Sequence, residues 1–124
     1  NGGGDQSVGY RATVDSLQAH PNLRGIFAIN DPSALGAWGA IDEVQKAELI
    51  SIVGFDGALA GKRAIAEGKI YADPIQFPKK MGQVIMEKFM AFQSGEEYEQ
   101  VELIPTSLYR QADAKSDPDL QLDQ

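Results

Sequence analysis

Three apolar stretches of this sequence each give way to a side chain that could hydrogen-bond a ligand. GIFAI (residues 25–29) stops at Asn30-Asp31-Pro32, LISIVGF (49–55) stops at Asp56, and KIYADPI (69–75) stops at Gln76. A turn needs only one polar residue, so the pair Asn30-Asp31 leaves one over. Asp31 is placed to cap the helix that follows, and Pro32 suits a first helical position. That leaves Asn30 free. A carboxylate accepts hydrogen bonds at two oxygens, whereas an amide both donates and accepts. Asn30, Asp56 and Gln76 together therefore suit a polyhydroxyl ligand, each of whose hydroxyls is donor and acceptor at once. An anion would be repelled by Asp56.

Other chemistries lack their residues. The chain has no cysteine and one histidine, His20, so disulfides, thiolate catalysis and Cys-type zinc sites are excluded and no base–nucleophile pair stands at a recognisable spacing. FDGAL lacks the aspartate that a phosphatase loop of the DxDGT type needs two residues before Asp56; Gly54 stands there. A phosphate-binding loop around Gly61-Lys62 would need a glycine at position 56 and Ser or Thr at 63, where Asp56 and Arg63 stand. A receiver-type carboxylate cluster, which Asp31 and Asp56 could mimic, wants a lysine where Gln76 is. The reading is of a binding protein, not an enzyme, with no cofactor and no metal. The formal net charge of −7 argues against a nucleic-acid partner.

The elements that must position the three residues follow from periodicity and breakers. Residues 5–19 read as a helix, with Asp5 or Ser7 as cap and His20-Pro21 as stop. Strands are expected at 24–30, 49–56 and 69–76, the last weakened by Pro74. Helices are expected at 32–45 and at 57–67, the latter stopped by Gly68. Residues 78–93 form an amphipathic helix with Met81, Val84, Ile85, Phe89 and Phe92 on one face. A short strand follows at 100–104, and from Gln111 the chain reads as a polar, acidic, frayed tail. Trp38, on the helix face of Ala34 and Ile41, reads as a packing residue. Alternating helices and strands, with the two best strands apolar throughout, predict an α/β fold: a parallel sheet with helices on both faces. In such sheets ligands bind outside the carboxyl ends of the strands, where Asn30, Asp56 and Gln76 fall.

The segments HPNLRGIFAINDPSALGAWGAI and ISIVGFDGALAGKRAIAEGKIYADPIQFPKKMG resemble the periplasmic sugar-binding proteins of ABC transporters, of the ribose-binding type. The resemblance covers about residues 8–110. It implies that Asn30, Asp56 and Gln76 contact the sugar, and that the partners are a monosaccharide and a membrane permease. It also implies an extracytoplasmic location, with a signal peptide in the precursor. Family members have two α/β lobes and are more than twice this length, so the chain corresponds to the C-terminal part of an incomplete two-lobe protein. Residues 1–76 would be part of the second lobe, 77–110 a crossover helix and strand belonging to the first lobe, and 111–124 an acidic tail. With the first lobe absent, the apolar face of the 78–93 helix is a surface for self-association. Two alternatives share the fold: the effector-binding domain of a LacI-type transcription regulator and a sugar sensor of a histidine kinase. The former tends to carry GYDD where this chain has GFDG.

Overall fold

In the computed structural model, which describes residues 3–121, the Asp5 carboxylate accepts hydrogen bonds from the Ser7 and Val8 amides at 2.9 and 3.1 Å. This caps α1 (Gln6–Ala19), which closes at His20. Then come β1 (Gly25–Phe27), α2 (Asp31–Glu43), β2 (Ser51–Val53), α3 (Leu59–Ala66) and β3 (Ala72–Ile75). The long α4 (Pro78–Ser94) ends at Gly95, whose φ of 70° is left-handed. β4 (Ser107–Arg110) and two short helices, α5 (Gln111–Ala114) and α6 (Pro118–Gln121), complete the chain.

The sheet runs β1-β2-β3-β4. The first three strands are parallel, and β4 lies antiparallel against β3 with Ile75 opposite Ser107. Ile50 and Ile52 point into the core with Ala28, where they meet Ala34, Ala37 and Ile41 of α2, and Ile65 of α3. Burying isoleucines of this kind contributes about 1.5–3 kcal/mol each. The strands are more one-sided than their apolar sequences imply. Phe27 and Ile29 alternate with Ile26 and Ala28, so they point away from the core and are 68% and 66% exposed. At β1 that face is open to solvent.

Helices α1 and α2 pack so closely that Gly9 and Gly36 are obligatory. A Cβ on Gly9 would lie 2.9 Å from Ser33 Cα, and one on Gly36 would lie 2.7 Å from the Tyr10 nitrogen. Trp38 packs half-buried against the core, with the Lys69 ammonium 4.6 Å from its ring centroid.

Two expectations need correction. The strand expected at 100–104 is absent: Val101 and Leu103 are exposed, and among the described residues no strand pairs with them. Their segment is instead tied to α4 through Lys88, which bonds the Glu99 carbonyl and pairs with Glu102 at 3.2 Å. The fourth strand comes later, at 107–110, and pairs with β3. Nor are residues 111–121 a frayed tail. Tyr109 and Ala114 are buried, the Tyr109 hydroxyl donates to Asp117 at 2.7 Å, and Lys62 of α3 pairs with Asp117 at 2.9 Å. The run of acidic residues signals solvent, yet one of its members, Asp117, is a buried acceptor with three donors, the third being the Asp119 amide at 2.9 Å. The Tyr109 hydrogen bond, together with the Lys62 ammonium, holds the Asp117 carboxyl below its ordinary pKa.

Candidate functional site

Because β1, β2 and β3 are parallel neighbours, the segments leaving them emerge at one edge of the sheet. Asn30, Asp56 and Gln76 follow those strands in turn, and all three side chains are half-buried. Asp56 and Gln76 are in direct contact: the Gln76 amide Nε2 donates to the Asp56 carboxylate. Their backbones are also joined, with the Gln76 N–H on the Asp56 carbonyl at 2.9 Å and the Asp56 N–H on the Pro74 carbonyl at 3.3 Å. Asn30 is held by the chain start instead; its Nδ2 donates to the Gly4 carbonyl at 2.9 Å.

The roles of Asn30 and Asp31 are exchanged relative to the sequence reading. Asn30, in extended conformation, caps α2, and its Oδ1 accepts from the Ser33 amide at 3.1 Å. Asp31 cannot do so because it already lies within the helix. It is 1% exposed and reaches across to the start of α3, where its Oδ2 accepts from the Ala58 amide at 2.6 Å. Capping does not exhaust Asn30. One N–H and one lone pair of its amide remain, as do oxygen lone pairs on Asp56 and one N–H and the carbonyl of Gln76. Together these are donors and acceptors of the kind that a polyhydroxyl ligand matches.

Asp56 has φ 106°, a backbone state that costs a non-glycine residue about 1–3 kcal/mol and persists only where the surroundings enforce it. The enforcement is visible. Gly57, also at positive φ, leaves no room for a side chain, since a Cβ there would lie 3.2 Å from Ile75 Cα and closer still to its side chain. The Gly57 amide donates to Asp73 Oδ2 at 2.9 Å, and the Ala58 amide to Asp31.

This buried pair, Asp31 and Asp73, went unmarked in the sequence reading. The sequence alone reads Asp31 as a cap and Asp73 as part of a strand broken by proline. Two small residues make the room: a Cβ on Gly61 would lie 2.7 Å from Asp31 Oδ2, and one on Gly54 would lie 3.1 Å from Asp73 Oδ1 and 3.4 Å from Asp31 Oδ1. Burial, then the hydrogen bond and charge of Asp31, push the Asp73 carboxyl up to about 8. Burial also raises Asp31, against the bonds it receives. Glycines facing the ND and ADP aspartates are the signal that could have exposed the pair.

Residues 1–97 match the sequence model of a periplasmic binding protein domain. The chain belongs to the periplasmic binding protein family. Its relatives include the ribose import binding protein of Salmonella typhimurium, 38% identical over 78 residues, which is 63% of this chain and 26% of that protein. The D-apiose import binding protein of Paraburkholderia graminis is 37% identical over 71 residues, 57% of this chain and 22% of that protein. Among solved structures, a periplasmic solute-binding protein of an ABC transporter from Actinobacillus succinogenes with bound D-allose superposes with a TM-score of 0.87 at 25% identity. That match covers 94% of this chain and 41% of the other. The chain thus spans well under half the length of the relatives it matches. As a periplasmic binding protein it is extracytoplasmic.

Proposed function

We propose that this chain supplies the second-lobe wall of a monosaccharide-binding protein that delivers its sugar to an ABC-transporter permease. Asn30, Asp56 and Gln76 would hydrogen-bond the sugar hydroxyls. The observation that carries this reading is the placement of these three half-buried side chains after three consecutive parallel strands, each with hydrogen-bonding capacity to spare. The names of the relatives, which import ribose and D-apiose, support a monosaccharide as the ligand class.

The path of the chain supports a second lobe. It leaves the sheet after Ile75 and re-enters at Ser107, its register partner on β4. Between these points lies an excursion that carries α4, none of whose residues is buried. Ile85, Phe89 and Phe92 stand exposed on it. An apolar face of this kind seeks cover, and in the proposed assembly residues 77–106 pack on the first lobe.

Calorimetry on the intact two-lobe protein with D-ribose, D-allose and D-apiose tests the reading. At least one sugar should bind in the micromolar range or tighter. Absence of binding by all three, with the protein folded, would overturn it.

A further inference from the structure

We propose that Asp31 and Asp73 are positioning residues for the sugar: sharing one proton, they clamp the Gly57 and Ala58 amides and thereby hold Asp56 in its binding geometry, so that affinity is lost when that proton leaves. The proposal rests on the assignment of Asp56 to the sugar site.

The geometry is that of a proton-sharing pair. Each carboxyl spends its Oδ2 on one backbone amide of the loop that carries Asp56: Asp73 on Gly57 at 2.9 Å and Asp31 on Ala58 at 2.6 Å. The two Oδ1 atoms are buried and receive no hydrogen bond. Both lie beside the Gly54 Cα, 3.1 and 3.4 Å from where a Cβ would stand, so two acceptors without a donor face one small space. Neither carboxylate oxygen can donate, so one proton placed between them satisfies both. With it, the pair carries a single charge, spread over two amide donors at the start of α3. Without it, two buried carboxylates repel, and the cheapest relief is for one to leave its amide.

The groups around the pair fit this assignment. From the loop after β2, Asp56 adds a third negative charge that disfavours the second ionisation. From β4, Tyr109 stands opposite Asp73 in register, but its hydroxyl is given to Asp117. From α3, Lys62 is paired with Asp117 and Asp119. From α2, Asp31 is itself the facing group. The raised pKa of Asp73, about 8, places the loss of the proton within reach of mild alkali.

The test uses the intact protein and the sugar of the panel above that binds it. Affinity measured by calorimetry between about pH 6 and pH 9 should fall by up to about tenfold, the most that one proton leaving near pH 8 can give over that range. In Asp73→Asn the amide keeps an acceptor for Gly57 and a permanent donor for Asp31, so the affinity at the acid end should stay close to that of the parent and the profile should become flat. A flat profile in the parent protein, or the same fall in the Asn variant, would overturn the proposal. Carboxyl ¹³C titration of the sugar-free protein gives a readout independent of ligand. Asp73 should titrate near 8, with the Gly57 and Ala58 amide shifts following at the same midpoint. Titration of both aspartates in the ordinary carboxylate range would refute the shared proton. If no sugar binds but the carboxyl titrates as described, the sugar reading falls and the clamp stands.

Discussion

Replacing Gly36 by Ala adds one methyl group at the crossing of α1 and α2. In an exposed helix interior the same change is favourable by about 1 kcal/mol. At this position the new Cβ would sit 2.7 Å from the Tyr10 nitrogen and 3.0 Å from the Gln6 carbonyl carbon, and closer still to the Gln6 oxygen. All three are backbone atoms of α1, so no side chain can swing aside and the helices must part. Overpacking of a close-packed contact costs about 1–3 kcal/mol, and an obstacle made of backbone puts the cost at the upper end. The net effect should be a loss of about 2 kcal/mol, or about 8 °C in Tm for a chain of this size. Gly39, one turn further along the same helix, is the control. Its Cβ would meet the Tyr10 ring at 3.6 Å, an ordinary contact, so Gly39→Ala should raise Tm. Parting the helices also moves Gly4 away from Asn30, whose amide it holds at 2.9 Å, and Gly36→Ala should therefore weaken sugar binding by the intact protein while Gly39→Ala leaves it unchanged. Thermal unfolding followed by circular dichroism reads the stability. If the two alanine variants shift Tm in the same direction, the account of this crossing is wrong.

Asp56→Ala should weaken sugar binding by about 1.5–3 kcal/mol, the worth of a hydrogen bond to a charged group; calorimetry showing an unchanged affinity would remove Asp56 from the site. Asp73 should make the fold lose stability as pH rises. Its folded-state pKa is about 8 against an ordinary 3.8, so between those values the folded state holds the extra proton, and ΔG of unfolding should fall with a slope of at most about 1.4 kcal/mol per pH unit before levelling off above pH 8. Denaturant titrations at several pH values check this, and a stability that rose across that window would contradict the sign. Asp117 acts in the opposite sense: its pKa is lowered, first by the Tyr109 hydroxyl, so its contribution is present above the ordinary value of 3.8 and is lost on acidification below it. An Asp117→Asn variant should lack that acid-side loss. The isolated chain should self-associate through α4, and Phe89→Glu should shift sedimentation toward monomer; a parent chain that stays monomeric at high concentration would show that this face needs no cover.

The order of elements was legible because each rests on a local signal. Asp5, Gly68 and Gly95 mark helix ends by chemistry that acts within a turn. The parallel sheet was legible because its strands are apolar and separated by helices. What could not be read depends on partners distant in sequence. Residues 100–104 look like a strand, but among the described residues none pairs with them, whereas 107–110 gain a partner in β3. Asp117 looks like a solvated acid until Tyr109 and Lys62 converge on it. The alternation at β1 was masked because Phe27 and Ile29 are as apolar as the residues that face the core, although both are exposed in this chain.

The pair Asn30-Asp31 shows how residues can be placed from sequence while the work of their side chains is misassigned. Both residues were expected at the end of β1, and both are there. Which one caps α2 is decided by a single residue of register: the cap must have non-helical backbone and reach the third helical amide, and Asn30 meets both conditions with φ −159° and its bond to Ser33. Asp31 is then the first helical residue, and its side chain is carried toward the start of α3, where Gly61 leaves it space and Ala58 offers an amide. The exchange joins the site to the core. An aspartate that only capped would leave the β2–α3 loop free to choose its own conformation. An aspartate that bridges to Ala58, paired with Asp73 on Gly57, makes the strained backbone of Asp56 depend on two strands and a helix at once. The three polar strand ends are therefore not three independent contacts but parts of one hydrogen-bonded frame.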